Sequence, residues 1–270
     1  MSKFLCKAIL FGGFRVRTLA PAIGVCVLRN PNVGPLRWLS TRSKKQSFTV
    51  SYLIDSHGFS AEAALSASKL VAFETSEKPD KVTSLFKKYG FTEAQISCIF
   101  KLRPTLLMAD SEKTILPKLE FFRAKGFSWP EFAKRVSVYP TIFHSSLDQQ
   151  IIPTYEFFRD FFHTDEKVIM AIKRYPVILV YHVDKHVKPK IAILREHGIP
   201  DKNIATLFQS NPSFALMLSS DRLRKLVGEV AEMGFNTSRQ NFVAALSVLA
   251  SMSKSTWESK VNAYKKWGWS

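Results

Sequence analysis

The chain has 270 residues, 46% of them apolar, with 39 Lys+Arg against 22 Asp+Glu for a net charge of +17. That length suits one large domain, or a mid-sized domain behind a leader, and the charge favours a polyanionic partner without bearing on fold. Of the three cysteines, Cys6 and Cys26 lie near the N-terminus, Cys98 stands alone and no CxxC occurs, which excludes a disulfide framework in a processed chain and fits a reducing compartment.

Residues 1–47 hold nine basic residues and no acid, the first acid being Asp55. Residues 48–270 therefore carry 30 basic and 22 acidic residues, a balance of +8, so about half of the charge belongs to the leader. An acid-free, Arg-containing segment with broken apolar stretches reads as an organellar transit peptide, expected to be disordered. Lys7 and Arg15 interrupt the apolar core that a secretory signal needs. The run Leu19 to Leu28 contains Pro21 and is about half the length of a membrane span, so no membrane insertion is expected. Arg37-Trp38-Leu39-Ser40 is similar to a mitochondrial processing site, with Arg three positions before the cut. The expected address is the mitochondrion, with the chloroplast as the alternative, because transit peptides of both share this composition.

Residues 48–270 form the expected folded domain. Phe48 to Phe73 reads as a diverged first unit (48–83), in which Gly58-Phe59-Ser60 echoes Gly126-Phe127-Ser128. Glu74 to Lys81, with Pro79, reads as a polar linker. A 36-residue repeat follows. Prolines stand at Pro104, Pro140, Pro176 and Pro212, and a second series at Pro117, Pro153 and Pro189. Glycines stand at Gly90, Gly126, Gly198 and Gly234, with Phe162 in the vacant place. Three series at one period define units of about 84–122, 123–158, 159–194 and 195–230, then a diverged unit, 231–270.

Each unit reads as two helices. Helix one starts after the glycine, at a cap column Thr92, Ser128, Thr164, Pro200, Asn236, four of which have side-chain oxygens suited to a free first-turn N–H. Thr92 with Gln95 and Ser128 with Glu131 have capping-box spacing. The columns Ile96/Phe132/Val168/Ile204 and Phe100/Val136/Ile172/Phe208 are four apart and share a face. The first proline ends this helix by forcing its predecessor out of αR geometry. The apolar pairs Leu106-Leu107, Ile142-Phe143, Ile178-Leu179 and Phe214-Ala215 read as a 3₁₀ turn in the core. Val177–Tyr181, the only β-looking run, falls at this place in the repeat and is read the same way. Helix two has the second proline near its start, continues with Leu119/Phe122, Tyr155/Phe158 and Ile191/Leu194, and ends at the glycine. Such helices are amphipathic and about 12–14 residues long, too short to stand alone, so stacked units must share one core. The fold class is therefore an all-α superhelical solenoid. At the C-terminus Trp267-Gly268-Trp269-Ser270 repeats the pattern of Lys125-Gly126-Phe127-Ser128, the expected doorway of another unit, as in a truncated, alternatively spliced or short chain.

A binding surface on a solenoid should itself be periodic. One column is: Lys87, Arg123, Arg159, Arg195, lapsing at Ala231. Near the end of helix two, such a ladder can track phosphates, although cations also settle at helix C-termini because of the macrodipole. Further candidates are Lys134, Arg135, Lys173 and Arg174 at the end of helix one, with Lys101 there too, and Lys118 and Lys190 beside the second proline. Enzyme signatures are weak. His182 and His186 lack the Glu of HExxH and a third ligand, so a solvated or capping role is expected and no metal or cofactor is assigned. No Gly-rich phosphate loop, GxSxG elbow or Cys/His nucleophile pair occurs, and Asp165-Glu166 suit a helix first turn. No enzymatic activity is expected.

The segments Gly90-Phe91-Thr92, Ile96, Pro104, Leu106-Leu107, Leu116-Pro117-Lys118-Leu119 and Phe121-Phe122 resemble the repeat of the mitochondrial transcription termination factor (mTERF) family. Phe48 to Leu53 and Leu65 to Lys69 look like the first unit of land-plant members. The resemblance covers residues 48 to 270. It implies a left-handed superhelix of helix–helix–3₁₀ units with a basic groove for organellar DNA or RNA. The implied role is regulation of gene expression, by transcription termination or RNA processing and splicing, in a monomer that also meets other gene-expression proteins. The alternative is a protein-interaction scaffold in organellar ribosome or RNP assembly. Phe162, Lys225 and Val248 depart from the pattern at the glycine, the second proline and the first proline.

Overall fold

A computed structural model describes residues 43–267, apart from the side chains of 43–46, 214, 215, 254 and 265. The leader over 1–42, the apolar pair Phe214-Ala215 and the echo at Gly268-Trp269-Ser270 lie outside the described residues. Helices begin with α1 (Ser43–His57), ahead of the expected start at Phe48, and α2 (Ala61–Ala67). The expected linker is the start of α3 (Glu77–Lys88). Asp80 there accepts a 2.7 Å hydrogen bond from the Tyr52 hydroxyl, which ties α3 to α1.

Three units then repeat one plan. The first has α4 (Glu93–Leu102), a 3₁₀ turn (Pro104–Met108), a π turn (Ser111–Ile115) and α5 (Leu116–Ala124). The second has α6 (Trp129–Val138), Pro140–Phe143, Leu147–Ile151 and α7 (Ile152–Phe162). The third has α8 (Asp165–Arg174), Pro176–Val180, Val183–Val187 and α9 (Lys188–Glu196). The next unit keeps α10 (Asp201–Ser210) but replaces the 3₁₀ turn by a short helix, α11 (Pro212–Met217), before α12 (Ser220–Glu232). The described chain closes with α13 (Gln240–Ala250) and α14 (Lys254–Lys266).

The π turns arise from the second proline. A proline inside a helix lacks the N–H for the carbonyl four residues back, and its ring crowds that carbonyl. In each case the residue before the proline bonds five back instead: Leu116 to Ser111, Ile152 to Leu147, Lys188 to Val183. Where Lys225 stands in place of the proline, α12 runs as uninterrupted α-helix. Helix two therefore starts a turn earlier than its proline suggests, at Asp110 and Ser146, whose side chains accept first-turn N–H groups.

The glycine column behaves as its spacing predicts. Gly90, Gly126, Gly198 and Gly234 all have φ between 72° and 84°. Phe162 does not break the array: α7 runs two residues longer than α5 or α9 and the left-handed conformation moves one position on, to His163 at φ 68°, leaving Phe162 buried. The joints between units thus lie at these residues, a few positions after the boundaries at 122, 158 and 194.

Two caps differ from expectation. The Ser128–Glu131 box does not form, because Glu131 reaches Lys173 at 2.6 Å instead; the Thr92–Gln95 box does form. Asn236 closes a turn onto the Ser238 N–H, so the following helix starts only at Gln240.

Successive first helices pack side by side, α4 on α6 on α8 on α10 on α13, and the 3₁₀ turns of neighbouring units meet alongside them. One continuous core runs between these layers. Both first-helix columns, from Ile96 to Ile204 and from Phe100 to Phe208, are at most 1% exposed. So are Leu106-Leu107, Ile142-Phe143 and Ile178-Leu179 in the turns. Among the described residues no helix is long and apolar enough to cross a membrane.

Candidate nucleic-acid interface

The packing of α6 on α8 brings two basic pairs together. Lys134 and Arg135 from α6 and Lys173 and Arg174 from α8 line one groove of about 350 Å³, with Glu131 and Met170. Residues 39 apart in sequence thus become neighbours because the first helices stack. The Glu131 carboxylate is held below its usual range by its hydrogen bond to Lys173, with Arg135 adding to the effect. Arg174 donates to the Gln209 carbonyl at 3.0 Å, extending the contact to α10. Lys134 and Arg135 are exposed and enter no salt bridge among those of the described residues. The groove thus offers four cations against one acid, with the half-exposed Met170 as an apolar side. Lys101, at the end of α4, is exposed and sits 5.7 Å over the Phe59 ring.

The helix-two ladder is different. All four members reach solvent, and each has an acid. Lys87 pairs with Glu93 at 3.0 Å, Arg123 with Glu120 at 3.9 Å, Arg159 with Asp160 at 3.2 Å and Arg195 with Asp201 at 2.7 Å. Lys87–Glu93 and Arg195–Asp201 are the same contact three units apart, closed across the glycine joint. These partners hold the carboxyls of Glu93 and Asp201 below their usual range. Exposed pairs of this kind contribute little to stability because solvent screens them, yet each supplies a negative charge that a phosphate would have to displace.

Lys118 and Lys190 do not face outward at all. They are 4% and 6% exposed. Lys118 Nζ donates to the Phe143 carbonyl at 2.6 Å, and Lys190 Nζ donates to the Leu216 carbonyl. Burial holds both amines below the usual lysine range, Lys190 at about 8. The expectation that they flank a partner is corrected: each is turned inward onto the next unit. A signal was present in the sequence, since Ile115/Lys118/Leu119/Phe122 and Val187/Lys190/Ile191/Leu194 put each lysine in a buried helical stripe.

His182 sits at the N-cap of its π turn without a side-chain bond, and His186 packs edge-on against Tyr181 at 5.5 Å. Among the described residues no group of three His, Cys, Asp or Glu side chains is placed to hold a metal.

No curated protein matches the chain. The mTERF family model matches residues 83–270, which spans the repeats, the groove and the ladder. With that match over more than half of the chain and a repeat of helix, 3₁₀ turn and helix beneath it, the protein belongs to the mTERF family.

Proposed function

We propose that this chain is a non-enzymatic organellar protein that binds nucleic acid through the groove between α6 and α8 and acts in gene expression, by transcription termination or RNA processing. The observation that carries this reading is the convergence of Lys134, Arg135, Lys173 and Arg174 in one open groove, in a family that binds nucleic acids. Phosphate contacts by Lys and Arg supply affinity without base reading, so DNA and RNA both suit such a surface. The acid-free leader supports a mitochondrial address, with the chloroplast as alternative, and the chain acts as a monomer. Filter binding of the full chain to RNA and to duplex DNA over a salt series tests the proposal. Affinity should fall steeply as salt rises; absence of salt-dependent binding at micromolar protein would overturn it.

A second reading is a scaffold for proteins in organellar ribosome or RNP assembly. The acid on every ladder cation favours it for the helix-two face, because a mixed-charge stripe suits a protein surface better than a phosphate backbone. Co-purification of a protein partner after nuclease treatment would support this reading.

A further inference from the structure

Three buried polar side chains do one job at three successive joints, each reaching from one unit to a backbone carbonyl of the next. Lys118 reaches from α5 to the carbonyl of Phe143, the last residue of the next unit's 3₁₀ turn. Thr154 occupies the equivalent position in α7 and is too short to make that span. Gln150, one turn earlier, makes it instead: its Nε2 lies 3.2 Å from the Leu179 carbonyl, 3.0 Å from the Tyr181 carbonyl and 3.0 Å from Thr154 Oγ1. Phe143 and Leu179 are equivalent positions, 36 apart. Lys190 then reaches from α9 to Leu216. Gln150 is 8% exposed and Thr154 is 1% exposed, so solvent plays little part in either contact.

These contacts have a physical role that apolar packing lacks. Burial of apolar surface is non-directional, so a core of Leu, Ile and Phe tolerates rotation of one unit against the next. A hydrogen bond is directional and weakens steeply when misaligned. The carbonyls of Phe143 and Leu179 lie in the last residues of short 3₁₀ turns, and that of Leu216 lies in the last turn of the short helix α11, where few backbone N–H groups lie ahead to meet them, so losing the donor would leave buried acceptors unmet. Burying a lysine amine without a carboxylate is itself costly, which argues that the contact is retained for geometry rather than stability.

We infer that Lys118, Gln150 and Lys190 are positioning residues that fix the rotation of each unit against the next, and with it the spacing of the basic pairs along the groove. The carbonyl that Lys118 holds follows α6, which carries Lys134 and Arg135; the carbonyl that Gln150 holds follows α8, which carries Lys173 and Arg174. The consequence for the groove rests on the nucleic-acid reading above; the rotation itself does not.

The test is electron–electron distance measurement between spin labels at Lys113→Cys and Lys185→Cys, exposed equivalents two units apart, in the full chain with Cys6, Cys26 and Cys98 changed to Ser. Lys118→Met and Gln150→Met should each shift and broaden the distance distribution. Thr114→Gln added to Lys118→Met should restore it, because position 114 is the equivalent of Gln150, 36 residues earlier. Salt-dependent binding to a labelled oligonucleotide should follow the same order. If Lys118→Met does not fold, Gln150→Met, which removes no charge, carries the measurement. Unchanged distributions in the Met variants, with only a lower melting temperature, would overturn the inference. If the parent chain binds no nucleic acid, the binding reading falls and the distances alone still decide the rotation.

Discussion

His57 shows what burial does to a single polar group here. It is 6% exposed and lies between Tyr52 and Phe100, with ring centroids at 5.3 and 4.8 Å. Its Nε2 is buried without a hydrogen-bond partner among the described residues. Burial pulls its pKa to about 4, Asp80 pulls it back up, and Lys87 adds to the lowering. The unfolded chain thus takes up a proton near pH 6.5, while the folded chain resists until about 4. Stability from this site is complete above pH 6.5 and falls as pH drops towards 4, by about 3 kcal/mol at most. Urea midpoints should therefore decline from pH 6.5 to 4.5, and His57→Phe should remove most of that decline; a variant as pH-sensitive as the parent would contradict the assignment. Residue-level roles were the least legible in the sequence. Lys118 and Lys190 read as surface cations because lysine is seldom buried, and only the carbonyls of another unit give their amines a reason to turn inward. The acids beside the ladder were legible for Arg159, whose partner Asp160 is adjacent, but Arg195–Asp201 closes only because the chain reverses at Gly198.

At the scale of elements, the repeat was legible almost throughout. The first-helix columns, the 3₁₀ turns after the first proline and the left-handed glycine joints follow from periodicity and proline chemistry, and all three are present. The π turns were not legible. A proline near a helix start is ordinarily harmless, so nothing in the sequence shows that the helix begins a turn earlier until the caps at Asp110 and Ser146 are seen in place. The absence of a π turn in α12 yields a prediction. Lys225→Pro would interrupt a continuous α-helix and should cost about 3 kcal/mol. Pro153→Ala, where the ladder is already opened, should change stability by no more than about 1 kcal/mol. Chemical denaturation compares the two directly, and equal costs would contradict the proline origin of the π turns.

For the whole molecule, stacking decides which charges can act together. The period lined up Lys87, Arg123, Arg159 and Arg195 in sequence, but each is matched by an acid. The less regular cations at the ends of α6 and α8 converge instead, because neighbouring first helices lie side by side and their last turns meet. Sequence spacing gives the rows of a solenoid; which row is left uncompensated depends on side-chain reach across joints and between helices. On the proposed reading, the groove and not the ladder contacts the phosphate backbone. The most direct test is the salt dependence of oligonucleotide binding by two variants: Lys134→Gln/Arg135→Gln/Lys173→Gln/Arg174→Gln, and Lys87→Gln/Arg123→Gln/Arg159→Gln/Arg195→Gln. Neutralising the groove should flatten the log–log slope by about 3, on the order of one phosphate contact per residue, while the ladder variant keeps the parent slope within about 1. A flattened slope in the ladder variant, with the groove variant binding as the parent does, would contradict the account.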